Sequence, residues 1–163
     1  MTEGLNKEII TGLLEPYFEK REDIVMAFLF GSWATGRYCG ESDVDVAVYF
    51  KPESGRLEWE EFDARYEGED DIWRDIENLL GKEVDLLVLN RAASSIADSA
   101  ISGAPITIKD RGLYLDFMLR VSSEAIDFRE FVNEYWKLKE EMRRPSFVPS
   151  PSRINTRSGR GLG

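Results

Sequence analysis

The stretch GSWATGRYCGESDVDVAVYF, residues 31–50, places two aspartates at the start of an apolar run. Its last part, DVDVAVYF, is β-branched and aromatic and therefore predicts a strand over residues 43–50. Successive side chains of a strand alternate between faces, so Asp43 and Asp45 are expected on one face. Two carboxylates this close repel by about 1 kcal/mol in water and about 4 kcal/mol at an effective dielectric constant of about 20. The pair therefore indicates either a bound cation or turn chemistry at Ser42-Asp43 with a solvated Asp45.

A third carboxylate favours a bound cation over turn chemistry as the reason for the aspartate pair. Asp85 lies near the start of EVDLLVLN, residues 83–90, which predicts another strand. The helix-length segment 59–80 separates the two strands, and a strand, a crossover helix and a second strand in one sheet are normally parallel. Parallel strands begin at the same end of a sheet, so we expect Asp85 to lie beside Asp43 and Asp45.

The run before the quoted stretch, IVMAFLF at residues 24–30, predicts a buried strand that ends at Gly31. Because the connection to residue 43 is short, we expect this strand to run antiparallel to the next one and to end where that one begins. Gly31 and Ser32 then arrive at the same place as the aspartates. Glycine lets the backbone approach closely, and the Ser32 hydroxyl and nearby amides can hold phosphate oxygens.

The rest of the chain supplies the elements around these strands. Residues 4–21 predict an amphipathic helix, residues 92–102 a short helix, and residues 113–144 a long amphipathic helix or helix pair. PITIK, residues 105–109, predicts an edge strand because a proline begins it. The fold class is therefore α/β, a small mixed sheet with flanking helices. Residues 145–163, rich in Pro, Ser, Gly and Arg, predict a disordered tail.

Two features of the composition narrow the chemistry. The chain has no histidine, which excludes imidazole general bases, histidine triads and histidine-based zinc sites. Cys39 is the only cysteine, so an internal disulfide and a multi-cysteine metal site are excluded as well. A metal would need oxygen ligands, which favours magnesium, manganese or calcium. Carboxylates that hold two such ions can clamp a triphosphate, and nucleotidyl or phosphoryl transfer needs little more.

The formal charge of −10 argues against a general nucleic-acid binder, which needs a basic face. An acidic surface suits a basic protein partner or a site that recruits divalent cations, and equally a merely solvated surface. No apolar run approaches the roughly 18 residues that cross a bilayer. The first residues, MTEGLNKEII, lack the basic and then apolar pattern of a signal peptide. We therefore expect a cytoplasmic protein that contacts no membrane.

The residues of the site carry a resemblance to a known family. Gly31-Ser32, then Asp43-Val44-Asp45, then Asp85 resemble the GS…DxD…D signature of the DNA polymerase β-like nucleotidyltransferase superfamily. The form of residues 31–50 is most similar to the minimal nucleotidyltransferases, and among these to the MntA-type antitoxins that are encoded beside HEPN-domain toxins. YLDFMLRVSSEAIDFREF resembles the terminal helix of that group, and the resemblance covers about residues 5 to 142.

This resemblance implies a polymerase β-like palm fold and an adenylyltransferase that uses ATP as substrate with magnesium or manganese. Members of the group transfer AMP to a tyrosine hydroxyl of the partner HEPN ribonuclease and so silence it. Carried onto this chain, Asp43 and Asp45 bind both metals, Asp85 binds the catalytic metal and accepts the proton, and Gly31 and Ser32 hold the triphosphate. The triad is intact, and inactive relatives usually lose an aspartate, so we expect activity.

The resemblance also predicts the domain organisation, and this chain departs from the family's pattern at one position. It implies a single minimal nucleotidyltransferase domain over residues 1–144, with a core at 5–110 and a C-terminal helical segment at 113–144, in a hetero-oligomer with the toxin. Many relatives carry arginine where this chain has Thr35, and Arg37 is the residue that could replace that phosphate contact.

Several alternatives stay open at this stage. An occluding antitoxin could keep the fold as a scaffold, and a small-molecule nucleotidyltransferase of the aminoglycoside-modifying kind would use the same triad. Trp33 could stack on adenine or on the partner, but packing of a loop aromatic on the domain is the favoured interpretation. The aromatic residues of the last helix could bind a partner, although we expect ordinary core packing for them: Phe117, Phe128, Phe131, Tyr135 and Trp136.

Overall fold

The computed structural model describes residues 4–53, 57–59 and 65–143. The chain divides into two compact units, Met1–Ala125 and Ile126–Gly163. The predicted disordered tail, residues 145–163, lies outside the described residues, as does the middle of the segment that precedes the crossover helix.

A four-stranded mixed sheet forms the centre of the first unit. Its strands are β1 (Ile24–Phe30), β2 (Val44–Phe50), β3 (Val84–Val88) and β4 (Ala104–Ile108), in the order β3-β2-β1-β4. The strand β1 pairs antiparallel with β2 and with β4, while β2 and β3 are parallel. The predicted α/β class, both strand directions around β2 and the edge position of β4 are confirmed. Because both faces of this sheet are covered, nearly every side chain of β1 and β2 is buried, and the sequence of these strands is therefore almost continuously apolar.

Helices cover both faces of the sheet. The helices of the described residues are α1 (Lys7–Glu19), α2 (Ser32–Thr35), α3 (Glu69–Leu80), α4 (Ser94–Ile101) and α5 (Arg111–Arg143), with a 3₁₀ turn at Leu89–Arg91. The residues of α5 that are buried belong to the first unit: Phe117, Val121 and Ala125. The Asn6 side chain accepts from the amide of Ile9 and caps the start of α1. Gly81 ends α3 in the left-handed conformation with a φ of 66°, which glycine adopts without a steric penalty. The structure has one continuous helix over Arg111–Arg143 where the sequence left a helix pair open.

The two faces of the sheet carry separate hydrophobic clusters. Val44, Val46 and Val48 of β2 pack with residues of α1 and α3, whose buried positions are Ile10, Leu14, Phe18, Ile72, Ile76 and Leu80. Ala47 and Tyr49 face the other way and pack with residues of α4 and α5, among them Ala97, Phe117 and Val121. The strand therefore alternates as expected, and Asp45 occupies the face of Ala47 and Tyr49.

The aromatic residues of α5 do not share one environment. Phe117 is fully buried, as the core-packing interpretation predicts. That interpretation is wrong for the four aromatic residues in the described part of the second unit, which are between 48% and 67% exposed: Phe128, Phe131, Tyr135 and Trp136. No helix in the described part of the chain combines the length and apolar composition needed to span a membrane.

Candidate active site

The three aspartates meet at one end of the sheet. In the parallel pair of β2 and β3, Asp45 lies directly opposite Asp85. In the antiparallel pair of β1 and β2, Asp45 lies opposite Phe30, the last residue of β1. Asp43 precedes β2 by one residue. The strands thus bring the predicted carboxylates beside the end of β1, where Gly31 and Ser32 follow.

Three negatively charged side chains determine the electrostatics of this end of the sheet. Asp45 is half-buried, whereas Asp43 and Asp85 are exposed. Burial raises the pKa of the Asp45 carboxyl, and the negative charges of Asp85 and Asp43 raise that pKa further. Ionisation of Asp45 is therefore less favourable than that of a free carboxyl, and positive charge nearby would favour it. Carboxylate oxygens are the ligands that magnesium and manganese prefer, so the residues present fit a divalent cation.

The carboxylates do not form a finished coordination set. Over residues 4–53, 57–59 and 65–143, no group of three or more Asp, Glu, Cys or His side chains lies close enough to hold a metal ion as it stands. The ligand roles of Asp43, Asp45 and Asp85 accordingly stay a prediction.

Gly31 is shaped by its contact with Asp45. Its φ of 73° and ψ of −153° lie in a region that is essentially restricted to glycine. A Cβ at this position would lie 3.0 Å from Cγ of Asp45 and would collide with its Oδ2. The backbone of Gly31 therefore passes directly under the carboxylate, and Ser32 begins the short helix α2 from that point.

A side-chain stack holds the connection between α2 and β2. Trp33 is 2% exposed, and its ring lies parallel to that of Tyr38 with centroids 3.9 Å apart. The indole Nε1 of Trp33 donates to the carbonyl oxygen of Ser42 at 3.1 Å. Lys82 lies 5.6 Å from the centre of the Trp33 ring and donates from Nζ to the Gly40 carbonyl oxygen at 2.5 Å. The packing interpretation of Trp33 is confirmed.

The same stack links the segments that carry the aspartates. Lys82 precedes β3, so its hydrogen bond ties the approach to Asp85 to the approach to Asp43. The Val44 amide also donates to the Glu83 carbonyl oxygen at 3.0 Å. Sequence reasoning missed Lys82 and the short helix α2, because neither one lysine nor four helical residues produce a periodic pattern.

The sequence and the fold identify the family at this point. The family described as "Polymerase beta, Nucleotidyltransferase" matches residues 13–112, which includes every strand and all three aspartates. The chain belongs to the polymerase β nucleotidyltransferase family. This confirms the resemblance to the polymerase β-like superfamily that Gly31-Ser32, Asp43-Val44-Asp45 and Asp85 carry. No curated protein matches the sequence of this chain.

Solved structures of similar fold include toxin–antitoxin complexes. A toxin–antitoxin with AMP-PNP has a TM-score of 0.56 and 18% identity, over 86% of this chain and 100% of the other. The toxin–antitoxin MntA–HepT has a TM-score of 0.51 and 16% identity, over 87% and 100%. Tri-AMPylated Shewanella oneidensis HEPN toxin in complex with MNT antitoxin has a TM-score of 0.52 and 14% identity, over 82% and 99%. At these identities the likeness establishes the fold of this nucleotidyltransferase.

Arg37, the predicted phosphate contact, lies on the connection between α2 and β2 of this nucleotidyltransferase. The Arg37 side chain is exposed and makes no hydrogen bond or ion pair within the described residues, although its amide donates to the Ser32 carbonyl oxygen at 2.9 Å. The hydroxyl of Thr35 donates to the Ser32 carbonyl oxygen at 3.3 Å and therefore belongs to the local turn. Arg37 as a nucleotide-binding residue stays a prediction.

Gly31→Ala is expected to damage both stability and activity. The new Cβ would displace the Asp45 carboxylate, and the backbone conformation would cost about 1–3 kcal/mol for alanine. Thermal denaturation and nucleotidyl transfer measure the two effects. Gly36→Ala is the matched control, because Gly36 also has positive φ but no atom lies within 4 Å of a Cβ there. Equal transfer by the two variants would contradict a role for the Gly31–Asp45 contact.

Proposed function

We propose that this chain is an antitoxin that transfers AMP from ATP to a tyrosine hydroxyl of a cognate HEPN toxin. The observation that carries the proposal is the meeting of Asp43, Asp45 and Asp85 beside Gly31 in a member of the nucleotidyltransferase family. The choice of acceptor is supported by the similar folds of toxin–antitoxin complexes, one with AMP-PNP and one with a tri-AMPylated HEPN toxin.

The residues divide the work of the site. Asp43 and Asp45 would hold two magnesium or manganese ions, and Asp85 would hold the catalytic one. Such ions, when bound, neutralise the triphosphate and favour loss of a proton from the attacking hydroxyl. Gly31 has no side chain that would keep phosphate oxygens away from its backbone, and the half-buried Ser32 hydroxyl can donate to them.

Asp85 is the residue best placed to receive a proton from a large acceptor. It is exposed and lies on β3, an edge strand of the sheet, whereas Asp45 is half-buried on the interior strand β2. The tyrosine oxygen attacks the α-phosphorus of ATP as its proton passes to the Asp85 carboxylate. The bond from the α-phosphorus to the bridging oxygen breaks, and pyrophosphate leaves.

The test is transfer to a defined acceptor. The purified chain is incubated with ATP, magnesium and the proposed HEPN toxin, and both proteins are analysed by mass spectrometry. We expect the HEPN protein to gain one or more AMP units on a tyrosine, and the gain to disappear when EDTA replaces magnesium. An unmodified HEPN protein alongside AMP transfer to an aminoglycoside would replace the protein acceptor with a small molecule.

A further inference from the structure

The helix of the second unit carries an exposed apolar seam. The seam consists of residues at alternating spacings of three and four, with exposed fractions of 55%, 67%, 48%, 58% and 83% respectively: Phe128, Phe131, Tyr135, Leu138 and Met142. Residues at this spacing lie along one side of an α-helix over about four turns. Soluble chains seldom leave so many large apolar side chains together in water unless another surface covers them.

The spacing of the seam indicates what kind of surface covers it. Alternation of three and four residues is the pattern by which one helix packs its side chains between those of another. Phe128, Phe131 and Tyr135 supply the aromatic groups that contribute most strongly to protein–protein contacts. The shape of the seam therefore favours a helical occupant over an extended strand or a small ligand.

The two edges of the seam differ in charge. One edge is acidic and consists of Asp127, Glu134 and Glu141, which flank the seam at successive heptads. The opposite edge carries Val132 and Lys139, and Lys139 lies over the rings of Tyr135 and Trp136 at 5.6 and 5.7 Å from their centroids. An occupant would therefore contact an apolar strip with acidic groups along one side only.

This asymmetry disfavours a second copy of the chain as the occupant. In an antiparallel pair of helices the acidic edge of one chain would face the acidic edge of the other, and the like charges would repel. In a parallel pair Glu134 would face Lys139, but Asp127 would face the apolar Val132. The formal charge of −10 opposes self-association in either arrangement. A helix of another protein with Lys or Arg along one edge would cover the apolar seam and pair with all three acidic residues.

We propose that the apolar seam is the docking surface for an amphipathic helix of the HEPN toxin, with that helix's basic edge along Asp127, Glu134 and Glu141. The proposal rests on the proposed function, because that function supplies a protein partner. Docking on the seam holds the toxin during transfer, so the loss of a seam residue weakens toxin binding and raises the KM for the toxin. The kcat at saturating toxin stays close to that of the wild type.

Phe131→Glu tests the seam against a matched control. Phe131 is 67% exposed, and the control Leu119→Glu alters a residue on the same helix that is 64% exposed and lies off the seam spacing. Both variants are expected to keep the wild-type circular dichroism and melting temperature, because neither side chain is buried. Phe131→Glu should weaken the Kd for the toxin about thirtyfold or more, which is the level of an interface hot spot, while Leu119→Glu changes it less than about threefold.

Charge reversal tests the acidic edge independently. Glu134→Lys is expected to weaken toxin binding and to reduce its salt dependence, whereas Glu130→Lys, on the same helix but outside the seam and its acidic edge, is not. Equal toxin affinity for wild type and Phe131→Glu would overturn the proposal, and so would a wild-type homodimer in light scattering that Phe131→Glu dissociates. Seam-dependent binding without AMP transfer would leave the docking surface in place and overturn the proposed catalysis instead.

Discussion

Asp45→Asn is expected to reduce AMP transfer by about 10²–10³-fold while the protein stays folded. The variant keeps the shape of the side chain but replaces a charged oxygen ligand with a neutral amide at the centre of the site. Asp45 lies opposite Asp85 and against Gly31, so no neighbouring carboxylate can take over its position. Transfer to the HEPN protein at saturating magnesium and ATP measures the loss. Asp116→Asn, on an exposed position of α5, is the matched charge control.

The same substitution is expected to raise the melting temperature when EDTA removes divalent ions. Burial and the charges of Asp85 and Asp43 raise the pKa of Asp45 in the folded protein, so the folded state binds that proton more tightly than the unfolded state. Ionised Asp45 therefore costs stability above its folded pKa, and this cost vanishes as the pH falls through that pKa towards the ordinary value of 3.8. The advantage of Asp45→Asn should be largest near neutral pH and should shrink towards acid.

Two outcomes would contradict this account of Asp45. Wild-type transfer rates in Asp45→Asn would show that the carboxylate is not needed for the chemistry. A lower melting temperature in EDTA at neutral pH would show that Asp45 stabilises the fold rather than opposing it. Asp116→Asn should show neither the loss of transfer nor the pH-dependent gain in stability.

The sheet and the meeting of the aspartates could be predicted because their signals are local. DVDVAVYF and VDLLV reveal strands by composition, and the intervening helix makes those strands parallel. Parallel pairing then places Asp85 opposite Asp45 without any knowledge of side-chain packing. The stack of Trp33 on Tyr38 and the reach of Lys82 to Gly40 depend on how the connection folds back, and no periodicity encodes that.

The long helix shows a different limit of sequence reasoning. Phe117 and Phe131 both belong to apolar patterns of helical period, yet the first is fully buried and the second is 67% exposed. The pattern states only that some surface will cover these residues. Whether residues of the same chain or another molecule cover them is a property of the tertiary structure, and the helical period does not encode it.

Asp85→Asn is expected to separate catalysis from occlusion in living cells. The variant should still bind the toxin, because the proposed docking seam lies on α5, but its AMP transfer should fall by about 10²–10⁴-fold. A tyrosine hydroxyl has a pKa of about 10 and is a poor nucleophile at neutral pH. Without the Asp85 carboxylate its proton has no acceptor at the edge strand as the oxygen attacks the α-phosphorus. Cells that express the toxin should therefore stay arrested when the antitoxin carries Asp85→Asn.

The experiment compares growth at equal antitoxin levels, with Asp116→Asn as the rescuing control and a pull-down to confirm that Asp85→Asn still binds the toxin. Arrest despite binding would mean that contact alone does not silence the toxin, because the same surfaces meet in both cases. Full rescue by Asp85→Asn, with no AMP on the toxin, would mean that occlusion is sufficient and that the site serves another acceptor. Asp85→Asn differs from the wild type in one charged group, which is exposed on an edge strand. A variant that still binds the toxin has kept its fold and its docking surface, so neither can be the cause of the arrest.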